Sequence, residues 1–129
     1  MKNLLVLLSV LVLSSGIAQA SDYEVRKKAG EYEVSVKLDK SNPVVGANNM
    51  EIEINDESGK PVTDAKVVVD YTMPAMPGMP AENYKANAEA KGDRYTATMD
   101  LSMSGSWNVS IKITRRGKKS TVKFNVDAR

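Results

Sequence analysis

Apolar and polar residues alternate with a period of two along most of this chain, and that pattern limits what it can fold into. The alternating runs lie at residues 32–38, 50–54, 67–71, 84–90, 95–101, 107–113 and 122–126. Alternation of this kind predicts β-strands with one dry face, and no stretch after residue 20 has a helical period. Because each half-dry sheet must cover its apolar face, we expect an all-β, two-sheet antiparallel immunoglobulin-like sandwich of about seven strands. A small closed barrel is the competing architecture.

The links between the runs contain turn-forming residues, and short links favour antiparallel neighbours. The segment Asp56-Glu57-Ser58-Gly59 lacks the alternating acidic pattern of a calcium loop, so we interpret it as a turn with Asx hydrogen bonding. The link from Leu38 to Met50 is longer than a hairpin needs. We therefore expect this link to cross from one sheet to the other.

The first twenty residues are typical of a secretory signal peptide. Lys2 gives a positive start, residues 4–13 are apolar, and Ala18-Gln19-Ala20 forms a small-x-small cleavage site. We expect cleavage after Ala20, export to the periplasm or the medium, and no stable membrane insertion afterwards; an uncleaved anchor is the alternative. Residues 21–30 are then a polar leader, and residues 31–129 form one domain.

Composition excludes several functions. The chain has no cysteine and no histidine, and it contains neither a Gly-x-Ser-x-Gly elbow nor a glycine-rich phosphate loop. We therefore predict that it is not an enzyme. Once Lys2 is removed with the signal peptide, 17 basic residues balance 16 acidic ones, so net charge gives no argument for binding nucleic acid.

One connection has a composition that turn formation alone does not explain. Residues 73–80 read MPAMPGMP, with methionines three residues apart and prolines that exclude helix and regular strand. In an extended polyproline conformation the three methionines would lie about 9 Å apart along one edge, too far to share an ion. This stretch, the Met-Pro loop, must therefore bend if it is to hold a metal.

The dipeptide Pro77-Gly78 supplies a bend. Proline followed by glycine predicts a type II turn, which would bring Met76 and Met79 close together, with Met73 available from the end of the preceding strand. Thioether sulfur is soft, neutral and never protonated, so it favours Cu(I) over Zn(II) or Cu(II). The loop therefore predicts a methionine-only Cu(I) site, suited to metal delivery.

Methionine also fills gaps in cores, and a loop rich in it can be an adaptable surface for a partner protein. The metal-free alternative is an interaction module that docks an envelope or membrane protein through the same loop. Met50 and Met99 share the inward parity of their runs and are expected in the core, whereas Met103 lies in a turn beside the loop. Trp107 is expected in the core, with a position beside the methionines as the alternative.

A second cluster lies at a predicted hairpin tip. Arg115-Arg116-Gly117-Lys118-Lys119 gathers four cations. Charges at such a tip usually keep strand edges in solution, and we interpret them so. Docking of an acidic partner or of phospholipid headgroups is the alternative.

Three segments together resemble a known family. The strand at residues 67–72 enters the Met-Pro loop, and Gly92-Asp93-Arg94-Tyr95 and Leu101-Ser102-Met103-Ser104-Gly105-Ser106-Trp107 follow. Over roughly residues 31–127 this pattern resembles the YtkA-like family and its FixH relatives. The resemblance implies an immunoglobulin-like sandwich outside the cytoplasmic membrane and a role in copper handling or in the assembly of copper-containing respiratory oxidases.

The same resemblance implies a metal-ligand set and a kind of partner. The matching positions for a Cu(I) ligand are Met73, Met76, Met79 and Met103. The implied partner is a copper-transport protein or an assembly protein of a respiratory oxidase. One departure is that FixH-type proteins keep a membrane-spanning segment, whereas this leader has a cleavage site.

Overall fold

The structure is a computed structural model that describes residues 23–40 and 42–129. The predicted signal peptide lies outside these residues. Within them the chain forms nine strands, β1(Glu24–Ala29), β2(Tyr32–Leu38), β3(Gly46–Asn55), β4(Lys66–Met73), β5(Glu82–Asn87), β6(Glu89–Lys91), β7(Arg94–Leu101), β8(Gly105–Arg115) and β9(Lys118–Ala128). No helix in this part of the chain has the length and apolar character needed to cross a membrane.

The strands form two antiparallel sheets. One sheet has five strands in the order β1-β2-β3-β7-β6, and the other has four in the order β5-β4-β8-β9. Their apolar faces meet in a single core, because alternate residues of each strand are buried. The predicted immunoglobulin-like two-sheet antiparallel sandwich is confirmed.

The core contains the residues that alternation assigned to it. Met50 and Met99 are 1% and 0% exposed, and Trp107 is fully buried, as predicted. Tyr95 ties the link between β3 and β4 to strand β7, since its hydroxyl donates to the Val62 carbonyl at 2.9 Å and accepts from the Ala65 amide at 3.0 Å. The crossover from β3 to β4 is thereby fixed against β7.

The Asp56 turn has the predicted Asx geometry. Its Oδ1 accepts the backbone amides of Ser58 at 2.9 Å and Lys60 at 3.0 Å. The hydrogen bond from the Ser58 hydroxyl, followed by that from the Lys60 amide, lowers the pKa of Asp56.

Two strand assignments made from the sequence need correction. The segment expected to be a polar leader contains strand β1, an edge strand in which the exposed Lys27 interrupts the inward-facing series of Val25 and Ala29 and so hides the alternation. The run at 84–90 is two strands in different sheets: β5 pairs with β4, whereas β6 pairs with β7. The chain changes sheet at Ala88, whose amide donates to the Val67 carbonyl at 3.0 Å.

The long link after β2 does not cross between the sheets, so that prediction is wrong. Leu38 lies opposite Met50 in a direct β2–β3 pair of the same sheet. Asn48, fully buried, holds the link in place, because its side chain accepts from the Val44 amide at 2.9 Å and donates to the carbonyls of Val44 and Gly46 at 2.8 and 3.0 Å. The Asn48 side-chain amide thus supplies hydrogen bonds to backbone groups of the link that are not paired with a neighbouring strand.

Candidate functional site

The Met-Pro loop bends where its sequence predicts. The Met79 amide donates to the Met76 carbonyl at 2.8 Å, and the Met76 amide donates to the Met79 carbonyl at 3.0 Å. Gly78 has a φ of 81°, the value that the third residue of a type II turn adopts. Residues that exchange both backbone bonds lie about 5.5 Å apart at Cα with their side chains on one face. Met76 and Met79 therefore start close together, and they are 46% and 41% exposed.

Met73 lies in a different environment. It is the last residue of β4 and is 4% exposed, so its side chain belongs to the rim of the core and does not hang in the loop. Its terminal methyl lies against Gly105, at whose position a Cβ would be 3.1 Å from that methyl. Glycine at 105 therefore leaves the room that the Met73 side chain uses.

A cleft of about 250 Å³ opens between the Met-Pro loop and the start of β8. Its walls are Met73, Pro74, Met76, Ser104, Gly105 and Ser106. Two of the four predicted ligands, Met73 and Met76, thus line one cleft, and the turn holds Met79 beside Met76.

Met103 is not among the lining residues. It is partly buried and packs against the core, and its carbonyl accepts a hydrogen bond from the Trp107 indole at 3.0 Å. Met103, the fourth predicted ligand, is only two residues before the cleft residue Gly105 in the chain. It lies in the link between β7 and β8, on the side that packs against the core.

The aromatic residues beneath the loop form a packed cluster. The Tyr71 ring stacks on Tyr84 with centroids 5.4 Å apart, and Trp107 tilts against both at 6.1 and 6.0 Å. Only Tyr84 reaches the surface, at 37% exposure. Trp107 is a core residue that supports the end of β4, and its ring does not face the cleft.

Next to this cluster lies a carboxylate that the sequence did not single out. Glu82 is opposite Met73 in the β4–β5 pair, and its Oε2 accepts from the Ser102 hydroxyl at 2.6 Å and the Tyr84 hydroxyl at 2.7 Å. These hydrogen bonds, that from Ser102 first, lower the pKa of Glu82. No sequence signal identifies the group, because Ser102 is brought to Glu82 only by the packing of the two sheets.

The chemistry available here is thioether chemistry. Within residues 23–40 and 42–129, no three Asp, Glu, His or Cys side chains come together in a way that could hold a metal ion. The methionines around the cleft are the side chains suited to a soft monovalent ion.

Comparison with known proteins gives a family and a fold. A family model described as YtkA-like matches residues 26–112. Among solved structures, the soluble domain of PmoD from Methylocystis sp. ATCC 49242 (Rockwell) is similar with a TM-score of 0.53, at 10% sequence identity over 81% of this chain and 96% of that one. No curated protein sequence matches the chain significantly. The family model covers more than half of the chain, including the whole Met-Pro loop, four complete strands of one sheet and two of the other. This protein therefore belongs to the YtkA-like family.

Proposed function

We propose that this protein is an exported copper-binding or copper-delivery protein that holds Cu(I) through the thioethers of the Met-Pro loop. The observation that carries the proposal is the hydrogen-bonded pair of Met76 and Met79 beside a cleft lined by Met73. In this assignment Met73 is the inner ligand and the paired methionines are the outer ones. Met103, implied by the family resemblance, is assigned as a fourth position to be tested separately.

The exposure of the outer methionines favours transfer over storage. Two ligands that are nearly half exposed can be approached by the ligands of a second protein, so the metal can be exchanged without unfolding the sandwich. The proposed partner is a copper-transport protein or an assembly protein of a respiratory oxidase.

Thioethers give this site a distinctive response to pH. They carry no proton to lose, whereas imidazole, thiolate and carboxylate ligands must deprotonate before they bind metal. Cu(I) affinity should therefore stay nearly constant between roughly pH 5 and 8.

The test is a titration of the reduced protein with Cu(I) against a competing chelator. Replacing Met73, Met76 and Met79 together with leucine keeps the apolar volume and removes the sulfurs, so affinity should fall by at least tenfold. The matched control replaces the core residues Met50 and Met99 with leucine, which removes sulfur at sites that are sealed from solvent. Equal affinity in the triple variant and the wild type would contradict the assigned site, and Met103→Leu tests the fourth position alone.

One observation favours a second candidate, a metal-free interaction module. Four large apolar side chains in the described part of the chain are notably exposed: Val45, Met76, Met79 and Tyr84. They lie at one end of the sandwich. The Val45 amide donates to the carbonyl of Arg129, and the neighbouring residue Ala128 pairs with Gly105, which lines the cleft beside the Met-Pro loop. An apolar end of this kind can dock an envelope or membrane protein.

The two candidates give different results when the loop is replaced. Changing the Met-Pro loop to Ser-Gly should abolish recovery of a partner from envelope extracts if docking is the function. The leucine triple variant keeps an apolar loop, so it should still recover that partner while losing Cu(I). Partner recovery that survives the Ser-Gly replacement would contradict the interaction module.

A further inference from the structure

The outward faces of the two sheets carry charge in different ways. On the five-stranded sheet acidic and basic side chains are mixed, and several pair: Arg94 bridges Glu51 at 3.0 Å and Glu53 at 3.5 Å, and Arg26 bridges Glu24 at 3.0 Å. The four-stranded sheet and its hairpin have two ion pairs, formed by Lys112 and Arg115, and they also present further exposed cations without such partners. A near-neutral chain is therefore strongly basic on one side.

Six exposed cations make up this side, which we call the basic surface: Lys66, Lys85, Arg116, Lys118, Lys119 and Lys123. None of them forms an ion pair with any residue of the described chain. The nearest acidic side chains are already used, since Asp70 pairs with Lys112 at 2.7 Å and Asp64 with Arg115 at 2.8 Å.

Strand register makes the basic surface continuous. Lys66 lies opposite Thr114, which lies opposite Lys119, so these cations occupy one row at the hairpin end of the sheet. Another row runs from Lys85 through Asp70 and Ser110 to Lys123, and Asp70 in this row is paired with Lys112. At the usual strand spacing, three steps separate Lys85 from Lys123 by about 14 Å. The result is a face on which cations outnumber acidic side chains across the width of the sheet.

The composition of this field indicates what it fits. Five of its six cations are lysines, and the outward neighbours Ser110, Thr114 and Thr121 are small and polar. Protein interfaces are enriched in aromatic residues and arginine and depleted in lysine, so a tightly packed protein partner is not what this face favours. Dispersed lysines suit many weak contacts with anionic headgroups.

We propose that the basic surface adsorbs this protein on an anionic phospholipid membrane. The proposal does not depend on copper binding. In this orientation the 115–118 hairpin and the lysine half of the four-stranded sheet lie against the headgroups. The cleft lies at the other end of β4, seven residues from Lys66 to Met73, or roughly 23 Å at the usual rise per residue. The methionines then lie at the end of β4 farthest from the hairpin lysines.

The test is co-sedimentation of the purified protein with vesicles at about 0.1 M salt, where the Debye length is about 10 Å. Vesicles of phosphatidylglycerol and phosphatidylcholine should bind the wild type, and pure phosphatidylcholine vesicles should not. A variant with Lys66, Lys119 and Lys123 changed to glutamine should bind the anionic vesicles roughly a hundredfold less tightly, at about fivefold per lysine near such a surface.

The matched control changes Lys28, Lys37 and Lys91 to glutamine. These exposed lysines lie on the outward face of the five-stranded sheet, so the control loses the same net charge from the other side of the molecule. Its vesicle binding should stay within about threefold of the wild type, and circular dichroism checks that both variants fold. Equal losses in the two variants would overturn the proposal, because net charge alone would then explain binding. Wild type that binds soluble polyglutamate but not anionic vesicles would also overturn it.

Discussion

Met73 and Met76 line the same cleft but differ in what holds them. Met73 ends a strand and is almost fully buried, so its backbone and much of its side chain are already ordered. Met76 sits in an exposed turn with a free side chain. A ligand ordered beforehand loses less conformational entropy on binding, so the inner position should set the geometry and the outer one the exchange rate. Gly105 makes the inner position possible, since it leaves space beside the Met73 methyl.

Changing Gly105 to alanine tests this contact. The new Cβ would meet the Met73 methyl at 3.1 Å, so the methyl must move by a few tenths of an ångström. We expect a clear change in the ¹³C-methyl resonance of Met73. Gly46→Ala is the control. The φ of Gly46 is 104° and that of Gly105 is 130°, so a residue with a Cβ is unfavourable at both positions, but at Gly46 no atom lies within 4 Å of the added Cβ. Both variants should lose about 1–2 kcal/mol of folding stability through backbone strain. If the Met73 methyl resonance shifts in both variants, backbone strain and not contact with the new Cβ causes the shift.

Glu82 provides a residue-scale prediction about pH. Hydrogen bonds from Ser102 and Tyr84 lower its pKa below the ordinary 4.5, so the carboxylate stabilises the fold at pH values above 4.5. That contribution should disappear as the pH falls through the lower, folded-state pKa. In an NMR titration of the side-chain carboxyl, Ser102→Ala should move the pKa of Glu82 back toward 4.5, with Tyr84→Phe giving a smaller change. An unchanged pKa in Ser102→Ala would contradict the assigned cause.

At the scale of elements, the β4–β5 hairpin carries the Met-Pro loop on paired strands. Met73 lies opposite Glu82 where the β4–β5 pairing ends. Within the eight residues between them, Met76 and Met79 pair again and are joined by a two-residue turn at Pro77-Gly78. The tight turn is thus attached to a sheet that packs against the core through Tyr71. Its geometry is held at both ends, so a change in the turn should act on the methionine pair and not on the sandwich.

Gly78→Ala should loosen that pair. Its φ of 81° is unfavourable for a residue with a Cβ, so the two backbone bonds between Met76 and Met79 should open more often. We expect faster amide hydrogen exchange at these residues and about tenfold weaker Cu(I) binding, at little cost to thermal stability. Gly92→Ala, at a φ of 61° in the hairpin between β6 and β7, is the control and should leave both measurements unchanged. Normal exchange with weakened Cu(I) binding in Gly78→Ala would contradict the role of the turn.

At the scale of the whole molecule, the sequence predicted the parts that local chemistry decides. Alternation identified the sandwich and its core, and Pro77-Gly78 identified the bend. It failed where distant segments decide. Edge strand β1 lacks a complete apolar face. The run at 84–90 changes sheet because β6 pairs with the edge of β7, and the long link stays within one sheet, held by Asn48. The burial of Met73 and the position of Met103 likewise depend on how β8 packs at the end of β4.

The basic surface could not be found from composition for the same reason. The total charge is summed over both sheets, and the 17 basic residues nearly balance the 16 acidic ones. The unequal distribution of charge between the two sheets appears only when the strand register assigns each side chain to a face. The five-stranded sheet carries acidic residues that pair with Arg94, whereas most lysines of the other sheet have no ion-pair partner in the described chain. The hairpin lysines and the cleft methionines then lie at opposite ends of strand β4.

This separation leads to a prediction about the whole molecule. The lysines nearest the hairpin and the methionines of the cleft lie more than about 10 Å apart and share no contacts, so changes at the two ends should act independently. The glutamine variant at Lys66, Lys119 and Lys123 should bind Cu(I) as tightly as the wild type, within about threefold. The leucine variant at the three loop methionines should bind anionic vesicles normally. Chelator competition and vesicle sedimentation on both variants, and on their combination, measure any coupling. If loss of the lysines weakens Cu(I) binding more than tenfold, the two ends are not separate functional surfaces, and the orientation inferred for the membrane-bound protein would be wrong.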